Sequence, residues 1–160
     1  MSQHAPGTPV RPPLYQSGKS LIWHGANLLN VVTFPLFHLT RGRLRFLHIH
    51  MLELVTTGRR TGLRRTVLMP SLLKRGDSYA IVGTYGGGTA NPAWYHNILA
   101  DPRVEVTVGG ATVPMTARVA AGAERAKLLR QITFRSGGVY PTGYRLLTSR
   151  EIPVVVLDPR

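Results

Sequence analysis

The sequence predicts a mainly β domain of the α+β class, arranged as a six-stranded antiparallel β-barrel with peripheral helices. Hydrophobic and polar residues alternate with the period of a strand over much of the chain after residue 51. Tight turns join consecutive strands, at Arg75-Gly76-Asp77 and at Gly109-Gly110. Only three segments have helical spacing, which is too few for a doubly wound parallel sheet.

The six predicted strands are bounded by turn residues or by a change of period. They are residues 52–57, 66–73, 79–84, 104–108, 113–119 and 152–157. The last of them is almost entirely apolar. A strand of this kind is typically buried on both faces of its sheet.

Three helices complete the predicted architecture: a leader helix within residues 19–46, a short helix after Asn91-Pro92, and a helix over residues 123–134. We expect the Asn91 side chain to cap the short helix and Pro92 to take its first position. Asp101-Pro102 should end it.

The chain's 160 residues suit one domain. Residues 1–18 contain four prolines and no periodicity, so they predict a disordered tail. Residues 19–160 then form a single domain, in which residues 19–46 are a helical leader.

The composition favours an anionic partner, because 20 Lys and Arg residues face 7 Asp and Glu residues. The first acidic residue is Glu53, and the apolar stretch 21–39 is interrupted by histidine, asparagine and proline, so it is a poor membrane-spanning helix. The leader helix packs on its own domain or a partner subunit, or else it lies on an anionic membrane surface. Both interpretations stay open at this point.

Several kinds of site are excluded or unsupported. The chain has no cysteine, so disulfides and thiolate chemistry are excluded. Gly18-Lys19-Ser20 lacks the first glycine of a P-loop, and Gly86 and Gly88 lack the third glycine of a dinucleotide fingerprint. His48 and His50 have no further pair of ligands near them in sequence, so no metal site is predicted.

Two motifs in residues 56–97 suggest one ligand held at two ends. The stretch 57–66 carries four arginines among glycines and threonines, a composition suited to phosphate or carboxylate groups. The stretch 86–97 carries three consecutive glycines, a helix start and two aromatic residues, which suit a planar ring. On the simpler interpretation, the arginines only solvate a loop, and Trp94 and Tyr95 are ordinary core residues.

From Leu54 to Pro159 the chain resembles the deazaflavin-dependent nitroreductase family, whose members share a split β-barrel with the FMN-binding pyridoxamine-phosphate oxidases. The resemblance rests on residues in both motifs and in the closing strand: Thr56-Thr57-Gly58-Arg59-Arg60-Thr61-Gly62, Arg65-Thr66, Gly86-Gly87, Asn91 to Asn97, Asp101-Pro102 and Arg150 to Leu157. It implies a split β-barrel that binds coenzyme F-420, an 8-hydroxy-5-deazaflavin with a phospholactyl-oligoglutamate tail.

The resemblance also assigns residues to the two ends of this cofactor. The residues assigned to binding of the acidic tail are Arg59, Arg60, Thr61, Gly62, Arg65 and Thr66. The residues assigned to binding of the ring are Val82, Gly83, Thr84, Tyr85, Gly86, Gly87, Ala93, Trp94, Tyr95, His96 and Asn97.

The implied activity is hydride transfer from reduced F-420 to a quinone-like, nitro or other electron-poor acceptor. Tyr140 and Tyr144, in the loop before the last strand, are the candidate proton donors or acceptor-pocket residues. Relatives often carry lysine or asparagine where this chain has Tyr85, and Pro141 stands where one of their tyrosines would align. Nitro reduction is therefore less well supported than binding of F-420, and the apolar, basic leader makes quinone reduction at least as well supported as nitro reduction.

The expected partners are a small-molecule acceptor and a second copy of the chain, in a cytoplasmic homodimer. A peripheral contact of the leader helix with the inner face of the cell membrane stays open, beside packing of this helix on the protein. Three alternatives remain open. The protein could bind FMN or take part in haem breakdown. It could bind nucleic acid, although its few aromatic residues disfavour that function. It could also sequester the cofactor or a lipid without catalysis.

Overall fold

The computed structural model describes residues 33–43, 45–46, 49–85, 90–138 and 149–160. Several residues singled out above lie outside these ranges. They are the predicted tail 1–18, the first part of the leader, His48, Gly86, Gly87, Gly88, Tyr140, Pro141 and Tyr144.

The described residues form three helices and eight strands. The helices are α1 (33–39), α2 (Ala93–Ala100) and α3 (Gly122–Arg135). The strands are β1 (Arg45–Phe46), β2 (Ile49–Thr57), β3 (Arg64–Ser71), β4 (Leu73–Arg75), β5 (Ser78–Val82), β6 (Arg103–Val108), β7 (Ala111–Val119) and β8 (Val154–Pro159).

The strands make one curled antiparallel sheet. Its order is β1-β2-β6-β7-β8-β5-β4, and β3 pairs with β2. Only Leu72 separates β3 from β4, yet these strands pair near opposite ends of the sheet. The sheet must therefore curl until its ends meet, as the predicted antiparallel barrel requires.

The predicted count of six strands is corrected to eight, and the difference has a local cause. The predicted strand 66–73 bends at Leu72 into β3 and β4, and the two-residue β1 is additional. The hydroxyl oxygen of Ser71, which is fully buried, lies 2.9 Å from the Ala80 carbonyl oxygen and 3.1 Å from that of Leu73. This hydroxyl stabilises the bend, because it gives buried carbonyl groups a donor.

The turn predicted at Gly109-Gly110 is confirmed. It joins β6 to β7 in the register Val108↔Ala111, and φ is 62° at Gly109 and 91° at Gly110. A two-residue hairpin whose central residues both have positive φ has the twist that adjacent strands need, and glycine adopts it without steric cost.

Two hydrophobic clusters hold the sheet and its helices together. One fills the barrel and includes Leu54, Val106 and Ile98 of α2. The other lies between α3 and the outside of the sheet and includes Leu128 and Ile132. Consecutive residues of β8 enter the two clusters alternately, so the prediction that the last strand is buried on both faces is confirmed.

Within the described ranges, no helix has both the length and the apolar character that crossing a membrane would require.

Candidate functional site

The Asn97 side chain joins the two motifs that the sequence singled out. Asn97 lies on α2 and is 6% exposed. Its Oδ1 accepts a hydrogen bond of 3.1 Å from the backbone N–H of Arg59, and its Nδ2 donates one of 3.0 Å to the Thr56 hydroxyl. Helix α2, which begins within the second motif, is thus fixed to the loop that lies within the first motif.

That loop, residues 58–63, which we call the arginine loop, is closed by its own backbone. The N–H of Gly58 donates to the Leu63 carbonyl at 2.8 Å, and the N–H of Gly62 donates to the Gly58 carbonyl at 2.7 Å. A side chain at residue 58 would not fit, because a Cβ there would lie 2.9 Å from the Thr61 hydroxyl oxygen. The loop therefore presents its arginines from a defined backbone.

Arg59, Arg60 and Arg65 are exposed and have no acidic partner. All seven Asp and Glu residues of the chain lie in the part that the structure describes, and none has a carboxylate oxygen within 4.0 Å of these three side chains. Three guanidinium groups close together in sequence and without counter-charges attract an anion strongly.

The neighbouring Arg64 is different. Its guanidinium makes two hydrogen bonds to the Glu105 carboxylate, at 2.9 and 2.6 Å, and these bonds hold the pKa of Glu105 below its usual range. The geometry is the bidentate one in which arginine binds carboxylates most strongly. Arg64 is thus neutralised within the protein.

The strand register explains this difference. Arg65 pairs with Thr56, whose side chain is buried on the barrel side of β2. The residues on either side of Arg65 pair with the neighbours of Thr56: Arg64 with Thr57, and Thr66 with Val55. Because side chains alternate along a strand, Thr66 lies on the opposite face of β3 from Arg65. The structure therefore does not bring the Thr66 hydroxyl to the Arg65 side.

A shallow cleft opens on that opposite face, and it does not coincide with the predicted site. Its lining includes Arg64, Arg103 and Arg160. Glu105 pairs with Arg64, and Asp101 pairs with Arg103. Since two of its three arginines are neutralised, this cleft is a weaker anion site than the arginine loop.

The residues predicted to contact a ring lie at the end of β5 and along α2. Gly83 and Thr84 are buried, while Val82 is partly buried and Tyr85 is 41% exposed. Tyr85 has a φ of 49°, a left-handed conformation that costs a residue with a bulky side chain free energy. Strain of this kind is concentrated at functional sites in proteins.

On α2, Ala93 is exposed, and Trp94, Tyr95 and His96 are partly buried. Trp94 and Tyr95 pack against the cluster inside the barrel, with their ring centroids 6.3 Å apart. Their packing fits the simpler interpretation of core aromatics. Their partial exposure leaves part of each residue open to a ligand.

The predicted cap of α2 is wrong. The helix begins at Ala93, its N-cap residue is Pro92, and no side chain caps it. Asn91 Oδ1 instead accepts a hydrogen bond of 2.7 Å from Arg150. The predicted end at Asp101 is confirmed, since the Asp101 N–H donates to the Asn97 carbonyl at 2.8 Å.

Arg150 is a residue of this region that the sequence did not assign to the site. Besides its bond to Asn91, it donates to the carbonyl oxygens of Gly83 and Thr84, each at 2.8 Å. Its partial burial lowers the pKa of the guanidinium, although arginine stays charged in proteins. The available signal was its place directly before the closing strand, within the segment that carries the family resemblance.

Substituting Gly83 by alanine should destabilise the fold. A Cβ at residue 83 would lie 2.8 Å from Cγ and 3.3 Å from Cδ of Pro153, too close without movement of the backbone. We expect thermal unfolding to show a loss of about 1–3 kcal/mol. The double variant Gly83→Ala, Pro153→Ala should recover part of that loss, and equal stability of the single variant and the wild type would contradict the contact.

Comparison with known proteins identifies the family. Residues 40–159 match the family model described as F420H(2)-dependent quinone reductase. The chain belongs to this family. Membership confirms that it is an oxidoreductase and that its cofactor is coenzyme F-420, and among the predicted acceptors it favours a quinone.

Individual relatives agree. An F420H(2)-dependent quinone reductase of Mycobacterium tuberculosis is 39% identical over 111 residues, which are 68% of this chain and 73% of that protein. A solved F420-H2 dependent reductase is 31% identical with a TM-score of 0.59, over 70% of this chain and 95% of its own. A structure described as a domain-swapped dimer is 27% identical with a TM-score of 0.61, over 84% and 99%. The predicted split β-barrel is confirmed by this likeness and by the sheet topology.

The described residues fit such a cofactor. Guanidinium groups without counter-charges suit a tail that carries a phosphate and several carboxylates. The partly exposed aromatic residues of α2 suit a planar ring.

Proposed function

We propose that this chain binds reduced coenzyme F-420 along α2 and reduces a quinone. In this proposal the acidic tail binds to Arg59, Arg60 and Arg65 of the arginine loop and β3. The ring binds between residues 82–87 and the first turns of α2. The proposal is supported most directly by the two hydrogen bonds of the Asn97 side chain. They hold α2 and the arginine loop in a fixed relative position.

The distance between the two regions supports a single ligand. Helix α2 begins at Ala93, beside the proposed ring site, and its Asn97 accepts the hydrogen bond from the arginine loop. These two residues are four positions apart, so at 1.5 Å per residue they lie roughly 6 Å apart along the helix axis. A flexible linker of several single bonds can span that distance.

The role of the chain's own residues is to bind and orient. Arg59, Arg60 and Arg65 lower the free energy of the bound tail through charge-assisted hydrogen bonds. Trp94 and Tyr95 offer apolar surface that excludes water from one side of the ring. When bound, the reduced cofactor supplies a hydride, so a quinone held beside it needs a proton as well. Tyr140 and Tyr144 remain our candidates to donate that proton, together with ordered water.

We propose that residues 19–160 form one domain and that two copies form a homodimer. The two hydrophobic clusters share strands β5 and β8, which supports a single folding unit. A similar structure is described as a domain-swapped dimer, which supports self-association. Light scattering on the purified chain should give the mass of a dimer, and a monomer at micromolar concentration would contradict this assignment.

We also propose a cytoplasmic protein that touches the inner face of the membrane through its leader. Helix α1 exposes Leu36 and Leu39, the latter to 80%, and exposed Arg41 and Arg43 follow. Apolar and basic side chains side by side suit an anionic lipid surface. Sedimentation with vesicles of phosphatidylglycerol should retain the wild type but not Leu39→Asp, and equal retention of both would contradict the contact.

A titration of the purified protein with F-420, followed by quenching of the ring fluorescence, tests the proposed function. We expect binding in the micromolar range or tighter, and oxidation of the reduced cofactor when a soluble quinone is added. Binding of FMN or haem in place of F-420, seen in the visible spectrum, would overturn the proposal. Binding without turnover would indicate a carrier of the cofactor.

A further inference from the structure

Arg150 connects both ends of the loop that follows β5. Nη2 donates to the carbonyl oxygens of Gly83 and Thr84 on one side of that loop, and Nη1 donates to Asn91 Oδ1 on the other. One guanidinium group therefore fixes the separation between Thr84 and Asn91. Between these two positions the sequence carries Gly86, Gly87 and Gly88.

This connection has an energetic reason. A binding site that is already in its bound arrangement loses less entropy when its ligand binds. A guanidinium is rigid and planar and carries five N–H donors, so it can hold several acceptors at once, which a flexible lysine ammonium does less well. Arg150 therefore holds the end of β5 and the start of α2 at a fixed separation before the cofactor binds.

Two further contacts hold Gly83 against its neighbours. The N–H of Gly83 donates to the Pro153 carbonyl at 2.9 Å, and a Cβ on Gly83 would meet the rings of both Pro153 and Pro92. The end of β5, the start of α2 and the residues before β8 are therefore packed together around Arg150. A change at Arg150 should alter all three.

We propose that Arg150 is a positioning residue for the ring of the cofactor. It acts through the backbone of Gly83 and Thr84 and through the Asn91 side chain, and not by contact with the reacting atoms. This inference rests on the proposed function, because it specifies how one half of the proposed site is held.

The chain offers a matched control in Arg125. Arg125 lies on α3 and donates to the Ile152 carbonyl at 2.9 Å, and it forms an ion pair with Glu151 at 3.1 Å. It thus fixes residues just beyond Arg150, and in the described part of the chain it makes no hydrogen bond or ion pair to residues 83–85 or 90–91. If Arg150 only stabilised this part of the fold, Arg150→Met and Arg125→Met should behave alike.

The experiment measures Kd for whole F-420 and for the deazaflavin chromophore without its tail, in the wild type, Arg150→Met, Arg150→Lys and Arg125→Met. If losing the guanidinium reduces the population in which the end of β5 and the start of α2 are correctly placed to about a tenth, both Kd values should rise about tenfold in Arg150→Met, with their ratio unchanged. Misplacement of the ring by about 1 Å should lower kcat/KM by roughly 100-fold. Arg150→Lys should fall between the wild type and Arg150→Met.

A second measurement separates positioning from folding. Methylguanidinium at millimolar concentration should restore part of the turnover of Arg150→Ala, and it should leave Arg125→Met unaffected. Arg125→Met should lower the unfolding temperature and keep both Kd values near those of the wild type. If Arg150→Met does not fold, Arg150→Lys and the rescue of Arg150→Ala carry the test.

Two results would overturn the inference, and they differ from each other. If the wild type binds F-420 and Arg150→Met keeps its Kd and turnover, or if Arg150→Lys keeps them where Arg150→Met does not fold, Arg150 has no positioning role and the proposed function stands. If the wild type itself binds neither F-420 nor the tailless chromophore, the proposed function fails and the inference fails with it.

Discussion

The double variant Arg59→Ala, Arg60→Ala should bind F-420 about 100-fold more weakly than the wild type. A hydrogen bond to a charged group contributes about 1.5–3 kcal/mol. Because solvent screens charges at this exposed loop, we expect each arginine to contribute only about 1.4 kcal/mol, which is a tenfold change in Kd. Neither side chain has an acidic partner in the described structure. Their removal should therefore cost binding and leave the free energy of unfolding nearly unchanged.

Arg64→Ala is the matched control for this variant. Arg64 directly follows the arginine loop and carries the same charge, but its guanidinium is held by Glu105. If the loop forms a specific anion site, Arg64→Ala should keep F-420 affinity within about threefold of the wild type. A loss of about tenfold in Arg64→Ala, which removes one charge where the double variant removes two, would mean that affinity follows the net charge of +13 and not the loop.

The second large effect is expected at Asn97, because one buried amide group serves both halves of the site. Asn97→Leu keeps much of the side-chain volume but removes the acceptor for the Arg59 N–H and the donor to the Thr56 hydroxyl. An unsatisfied buried polar group costs about 1–3 kcal/mol, so we expect a loss of roughly 2–4 kcal/mol in the free energy of unfolding. The arginine loop should also move relative to α2, and F-420 binding should weaken in the folded fraction.

Thr56→Val provides the comparison. It removes one of the two hydrogen bonds, and the bond between Asn97 and Arg59 remains. We expect a smaller destabilisation, about 1–2 kcal/mol, and F-420 affinity close to that of the wild type. Equal F-420 affinity in Asn97→Leu and Thr56→Val would show that Asn97 does not couple the two regions.

Much of the fold could be predicted because its signals are local. The turn at Gly109-Gly110, the end of α2 at Asp101 and the buried strand β8 each depend on residue types within a few positions. The bend at Leu72 could not be predicted in this way. It depends on the Ser71 hydroxyl and the carbonyl of Ala80, nine residues away on another strand.

The candidate site shows the same limit. Both motifs could be found in the sequence, but their connection through Asn97 spans 38 residues to Arg59. Asn91 has the residue type and position of a helix cap, yet a charged donor 59 residues away competes successfully for its side-chain oxygen. Arg150 was missed because its acceptors include backbone carbonyls, which any sequence provides.

The central claim is that the arginine loop and the region around α2 hold opposite ends of one ligand. The most direct test is a thermodynamic cycle that measures Kd for whole F-420 and for the tailless chromophore, in the wild type and in Arg59→Ala, Arg60→Ala. We predict that the tail strengthens binding to the wild type about 100-fold and binding to the double variant only slightly, while both proteins bind the tailless chromophore equally. If the tail strengthens binding by the same factor in both proteins, it does not bind to these arginines, and the account is contradicted.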